Sequence, residues 1–407
     1  MRRFRSSWIE RLREVTSGWP SVVRHPEDPH LRVNIGGSEP FGGRVLITHD
    51  WLVTWGGAER VLEEFASMFP AADIVTAIRS KGLALEHPTA HRASELWPGK
   101  LPGARTHHQW FLPAEALAFF GLKSTNHDVV ISSSHAFSKA VRPGRSGVNM
   151  CYCYSPLRYA WDLYDTYLSR SPFHRRLALR LGRRAFQLAD LAAAHRVSHF
   201  VAISQFVAHR IYSCYGRTAR VVYPPVRAKG KARPRSRRRD SFLLHLGRLV
   251  PYKRVDLLIE AATQLKMRLV IAGDGHDRAR LQQLAGPHIE FIGPVSEDEA
   301  ADLLATCACF IFAAEEDFGI APVEANAVGT PVVAYRGGGV AETMIEGETA
   351  EFFNEPTVAS AVAAIRRALG RSWDEVLMAQ NADRFSAERF RSEFTSALQS
   401  ALMGDRW

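Results

Sequence analysis

The chain reads as an α/β protein of two doubly wound domains facing a cleft, and three observations predict this. Twice a short apolar run passes through a glycine-containing loop into a helical pattern, at 45–69 and again at 241–265. Strand, loop and helix in that order open a doubly wound sheet. A length of 407 residues suffices for two or three domains, each with its own core. Between the two units, residues 227–239 hold eight Lys/Arg and no acid. The division is therefore 1–43 as an N-terminal extension, 44–226 as the first domain, 227–240 as a basic linker and 241–374 as the second domain. Residues 375–407 form a last helix, which in this fold class crosses back to the first domain.

In order along the chain, Val45-Leu46-Ile47-Thr48-His49 is the first strand. Gly56-Gly57 makes the loop, and the helix over 58–69 carries apolar Val61, Leu62, Phe65 and Met68. Ligands of doubly wound sheets bind at the carboxyl ends of strands, which places Asp50, Gly56 and Gly57 for the cleft. Further strands are expected at 74–78, 129–132 and 148–153. His135 follows Ser132-Ser133-Ser134 at a strand end, where it is either a ligand contact or a structural histidine. The aromatic stretch 101–122 is assigned to acceptor-side surface. Residues 170–184 carry Arg170, Arg175, Arg176, Arg180, Arg183 and Arg184 with Leu177, Leu179 and Leu181 among them. Such a helix is either a solvated face or a surface that rests on anionic lipid head groups. A strand at 199–204, a helix at 205–212 and Val221-Val222-Tyr223 close the domain.

The second unit starts with the strand 241–247. Arg248 follows it, and Lys253 comes five residues later, before the helix 255–265. Two cations at one strand end suit a diphosphate, Arg as a fork and Lys as a point charge. Strands are expected at 269–273, 289–293, 309–313 and 332–335. The stretch Glu315-Glu316-Asp317-Phe318-Gly319-Ile320-Ala321-Pro322-Val323-Glu324 then runs from a strand end through an acidic loop into a helix. Pro322 fits the first turn of that helix. The N–H groups of Gly319, Ile320 and Ala321 make an anion site of the helix start. Glu316 and Glu324, eight residues apart, are placed to face one cleft.

Taken together, the E-x₇-E pattern, Gly247-Arg248-Leu249-Val250-Pro251-Tyr252-Lys253-Arg254, Ala272-Gly273-Asp274-Gly275 and Gly56-Gly57-Ala58-Glu59-Arg60 resemble the retaining glycosyltransferases of family 4. The resemblance covers roughly residues 44–400. With His49-Asp50-Trp51-Leu52, Ser132-Ser133-Ser134-His135-Ala136 and Glu316-Asp317-Phe318-Gly319 it leans to the mannosyltransferase-type branch of bacterial surface-polysaccharide synthesis. It implies the GT-B architecture and transfer from a nucleotide diphosphate sugar, GDP-mannose first, to a hydroxyl of a lipid-linked or oligosaccharide acceptor. It assigns Arg248 and Lys253 to the diphosphate, Glu316 to the donor sugar, Glu324 to the ribose and the backbone near Val295 to the base. Related enzymes place a His on the donor sugar where this chain has Tyr154, a departure that puts that contact in doubt. A nucleotide-sugar 2-epimerase of the same fold and a silent scaffold of a polysaccharide assembly complex are the rival readings.

Composition narrows the remaining classes. The 46% hydrophobic and 23% charged residues are those of an ordinary globular protein. Of the net +10, eight charges lie in 227–239, and without interleaved aromatics that run is a solvated linker rather than a nucleic-acid footprint. No G-x-G-x-x-G is present, which argues against a nicotinamide or flavin cofactor. No D-x-D occurs, so no metal is expected on the diphosphate. Five cysteines without zinc spacing read as reduced core thiols. The expected location is cytoplasmic, at the inner face of the cytoplasmic membrane.

Overall fold

Short strands rich in Val, Ile and Phe and covered on both faces form all-parallel sheets, and two such sheets organise the chain. The computed structural model describes residues 43–144, 147–158, 160–161, 173–227, 241–405 and 407. All but Gly43 of the expected N-terminal extension and all but Arg227 of the basic linker lie outside them, as do the side chains of Arg170, Arg175, Arg176 and Arg180. The first sheet comprises β1 (Val45–Leu52), β2 (Asp73–Arg79), β3 (Ser94–Glu95), β5 (Val129–Ser134), β7 (Val148–Cys153), β8 (His199–Ala202) and β9 (Ala219–Val221). Their order is β3-β2-β1-β5-β7-β8-β9, while β4 (Lys123–Ser124) pairs with β6 (Arg142–Pro143) in a separate ribbon. All eight residues of β1 are buried. The second sheet has the order β12-β11-β10-β13-β14-β15, from β10 (Phe242–Leu246), β11 (Arg268–Ala272), β12 (Ile289–Gly293), β13 (Cys309–Phe312), β14 (Val332–Tyr335) and β15 (Ala350–Phe353).

In each sheet the strand order reverses at one place, between β1 and β5 in the first and between β10 and β13 in the second. Crevices at such switch points are where doubly wound sheets take ligands. The helix α1 (Gly57–Met68) leaves the first of them, and its first turn is closed by Glu59, whose Oε2 accepts from Gly56 N at 2.9 Å. At the second, α4 (Val255–Leu265) follows β10 and α6 (Ile320–Ala327) follows β13. α2 (Phe173–Ala194), α3 (Gln205–Tyr215), α5 (Glu297–Thr306) and α7 (Val340–Thr343) complete the elements used below.

One apolar cluster joins the halves. It runs from Phe65 and Tyr152 of the first through Phe318 and Phe385 to Phe310 and Phe312 of the second. The C-terminal stretch expected as one helix is two, α8 (Glu375–Asp383) and α9 (Ala387–Leu402). The first ends at its C-cap Arg384, and Ser386 caps the second, accepting from Arg389 N. α9 returns to the first half, where Phe394 lies 4.6 Å from the Phe65 ring and Phe390 5.6 Å from Tyr152. All five cysteines are free thiols, four of them buried. No helix among the described residues is long and apolar enough to cross a membrane.

Candidate active site

The second switch point brings the expected cation and carboxylate together. Lys253 Nζ lies 2.5 Å from Glu316 Oε1, with the two side chains 12% and 18% exposed. The geometry follows from the two strands that flank the crevice: Lys253 descends from the loop after β10, and Glu316 from the loop after β13. A side chain at Gly247 would lie 3.2 Å from Lys253 Nζ, and its φ of +154° belongs to glycine territory. Nζ also sits 5.9 Å from the Phe312 ring centroid. Beneath them, buried His245 donates from Nδ1 to Ile311 O at 3.3 Å. Burial, with help from Lys253, pushes its imidazole down to about 4, so it adds no charge to the site at neutral pH. Arg248 is exposed and makes no ion pair among the described residues.

Glu316 is held from behind by the glycine loop after β14. Gly339 N donates to Glu316 O at 2.7 Å. Gly338, at φ +73°, passes so close that a Cβ there would sit 2.1 Å from the same oxygen. α6 begins at Ile320 after Gly319 at φ +87°, with Pro322 buried in the first turn. Its first N–H groups have no intrahelical partner. Val295, two residues past β12, is half-buried at the rim of the same sheet.

The first half closes over this rim. A Cβ on Gly57 would meet Ile320 Cδ1 at 2.3 Å, so the Gly56-Gly57 loop rests directly on the start of α6. Arg60 of α1 reaches Glu324 Oε1 at 2.9 Å and Glu297 Oε1 of α5 at 2.8 Å. Burial raises the Glu324 carboxyl, and Arg60 works against that shift. Near the other edge, Glu342 of α7 accepts from Gln205 N and Phe206 N at the start of α3, at 2.8 and 3.1 Å, and from Tyr223 OH at 3.0 Å.

Two expected cleft residues turn out to be structural. Asp50 is wholly buried, and its carboxylate accepts from the backbone N–H groups of His135, Ala136 and Ser138 at 2.7–2.9 Å. It therefore fixes the turn after β5 instead of facing a sugar. Tyr154 donates its hydroxyl to Ala58 O at 3.0 Å and bonds Ser133 Oγ at 2.8 Å, so the phenol ties β7 to α1 rather than substituting for a donor-facing imidazole. His135 Nδ1 lies 3.4 Å from Asp50 Oδ2, and its ring packs edge-on against Trp51 at 4.4 Å. Burial lowers its imidazole, with Asp50 opposing. Two imidazoles lie close to Tyr154: the His135 ring centroid is 6.3 Å from its ring, and His49 Nδ1 bonds the same Ser133 Oγ at 2.9 Å. In the 101–122 stretch, Trp110 is 62% exposed and Phe119 is buried.

Residues 226–385 match the family model described as Glycosyl transferases group 1. A GDP-mannose-dependent alpha-mannosyltransferase of Mycobacterium tuberculosis (strain CDC 1551 / Oshkosh) is 38% identical over 148 residues, 32% of this chain and 39% of that protein. An N-acetyl-alpha-D-glucosaminyl L-malate synthase of Bacillus anthracis is 30% identical over 167 residues, 38% of this chain and 42% of that protein. The chain thus spans less than half the length of these curated relatives. Sucrose-phosphate synthase from Thermosynechococcus elongatus superposes with a TM-score of 0.67 at 17% identity, over 89% of this chain and 100% of that one. Anabaena HepE in complex with UDP and glucose gives 0.63 at 17% identity, over 87% and 99%. At such identity the likeness is one of fold. Residues 226–385 therefore match the glycosyl transferases group 1 model, within a chain that has the GT-B fold.

Proposed function

We propose that the protein is a retaining glycosyltransferase that moves a mannose-type sugar from GDP-mannose to a hydroxyl of a lipid-linked or oligosaccharide acceptor in cell-surface polysaccharide synthesis. The observation that carries this reading is the Lys253–Glu316 pair at the switch point of the group 1 domain. When a diphosphate enters, Lys253, Arg248 and the first N–H groups of α6 supply positive charge to the leaving group. Glu316 faces the sugar carbon, where positive charge grows as the bond to phosphate breaks. Such preorganised charge stabilises the transition state more than the bound substrate. The acceptor enters from the first half, and a closed cleft excludes water. The name of the Mycobacterium tuberculosis relative, a GDP-mannose-dependent alpha-mannosyltransferase, supports mannose and GDP. The decisive test is turnover over a panel of GDP- and UDP-sugars with the anomer of the product read by NMR. Release of nucleoside diphosphate with an inverted product, or from no sugar in the panel, would end this reading.

Glu324 is assigned to the ribose hydroxyls, equally in ground and transition states. Glu324→Gln should therefore weaken GDP binding by about 1.5–3 kcal/mol, the scale of a hydrogen bond to a charged group, with turnover at saturating donor nearly intact. A variant with native GDP affinity and slowed chemistry would reverse the assignments of Glu316 and Glu324. Because the protein's own cations face the diphosphate, activity should persist in EDTA. Loss of activity restored by magnesium or manganese would count against the site.

We further propose that the arginines of 170–184 rest on the anionic inner face of the membrane. Binding to anionic vesicles should fall as salt rises. It should also fall when those arginines are neutralised with the 227–239 run intact. Undiminished binding would remove the helix as the contact.

A further inference from the structure

We infer that Arg158, in the first half, is a positioning residue for both members of the Lys253–Glu316 pair, acting through Asp317 and Tyr252. It rests on the transferase reading above. Asp317 follows Glu316 directly, and its buried carboxylate is gripped from the first half at both oxygens: Arg158 bonds Oδ2, and Arg210 Nη1 lies 2.5 Å from Oδ1. Ser204 Oγ donates to Asp317 O at 2.5 Å. The same Arg158 guanidinium lies 5.9 Å from the ring centroid of Tyr252, the residue before Lys253. One first-half cation therefore touches the chain neighbour of each partner in the site. Lys253 and Glu316 belong to different loops, so their separation is set by whatever fixes those loops relative to each other.

The placement has a mechanical consequence. On one side Glu316 is fixed by the Gly338-Gly339 loop of its own half. On the other its loop is gripped through Asp317 by Arg158, Arg210 and Ser204 of the first half, while Phe318 packs against Tyr223. Approach of the halves therefore completes the geometry of the carboxylate, which couples closure of the cleft to assembly of the site. Arg210 is nearly buried, whereas the Arg158 side chain is 28% exposed and borders the crevice. Arg158 is thus the member of the grip whose removal perturbs the site with the least damage to packing.

The test uses the full chain with Arg158→Met, Arg158→Lys, Asp317→Asn and the Arg158→Met/Asp317→Asn double variant. The readouts are kcat for transfer from GDP-mannose and UDP-glucose, GDP affinity by calorimetry, and thermal melting. Arg158→Met should lower kcat by about 10–100-fold, the scale of a sub-ångström to 1 Å misplacement, with GDP affinity within about twofold of wild type. Arg158→Lys keeps the charge and should recover part of the loss. The double variant should be no slower than the slower single variant, because both changes break the same link. Losses that multiply in the double variant would show Arg158 acting on substrate directly and overturn the inference. So would a folded Arg158→Lys or Arg158→Met variant with wild-type kcat. If Arg158→Met fails to fold, the folded Lys variant decides alone; if neither folds, Arg158 is a group that holds the fold and the inference is lost. A wild-type protein that turns over no nucleotide sugar would instead overturn the transferase reading itself.

Discussion

Glu316→Gln is expected to lower kcat by about 10²–10³ while leaving the overall shape of the site unchanged, the magnitude found when one preorganised electrostatic partner is removed. The amide keeps the hydrogen-bonding outline of the carboxylate and loses its charge. That charge matters only when the sugar ring becomes cationic, so the loss falls on the transition state and not on bound donor. The structure adds a sign for the nucleotide. In the free protein Lys253 is committed to Glu316 at 2.5 Å, and a diphosphate must share or displace that contact. Glu316→Gln releases the lysine, so GDP affinity should stay level or rise as turnover falls. Steady-state kinetics and GDP calorimetry on one preparation check both halves. Full turnover in the variant, or weakened GDP binding together with lost turnover, would remove Glu316 from the role given to it.

Most of the architecture was legible because each βα unit announces itself locally. Val45–Leu52 and Phe242–Leu246 are apolar runs ending in glycine loops, and their helices carry apolar residues at helical spacing. The break at 384–386 was missed although its signal is local, a serine three residues ahead of the N–H it caps. β15 was also missed, being four residues long and lacking any glycine loop after it. The meeting of Lys253 and Glu316 could be read because each lies past a predicted strand, and adjacent parallel strands bring such positions together.

The rest of the site was not legible, for the same physical reason in each case. Arg60 meets Glu324 across 264 residues, and Arg158 and Arg210 meet Asp317 across 159 and 107. Ion pairs between domains leave no period or spacing in the sequence. Asp50 misled in the opposite way. A carboxylate just inside a strand end looks available for ligand, but three N–H groups of the turn after the neighbouring strand claim it. A carboxylate so bonded is a bracket for backbone. Tyr154 likewise has its only proton assigned, to Ala58 O.

Lys253→Ala should weaken GDP binding by about 1.5–3 kcal/mol, or roughly 10–150-fold in Kd, the range for a charge-assisted hydrogen bond lost from a partly buried site. Two terms contribute, and they can be separated. One is the direct contact between ammonium and diphosphate. The other is Glu316, which loses its partner and then presents an uncompensated carboxylate to an incoming anion at close range, where screening is weak. Adding Glu316→Gln to Lys253→Ala removes the second term and keeps the first. The double variant should therefore bind GDP more tightly than Lys253→Ala alone and less tightly than wild type, while its turnover stays below that of either single variant. Arg248 is exposed and unpaired with any acid among the described residues, so it remains to hold part of the diphosphate charge and keeps the loss from exceeding this range. Unchanged GDP affinity in Lys253→Ala would show that the diphosphate does not meet this lysine. A double variant binding no better than Lys253→Ala would show that Glu316 does not border the phosphates.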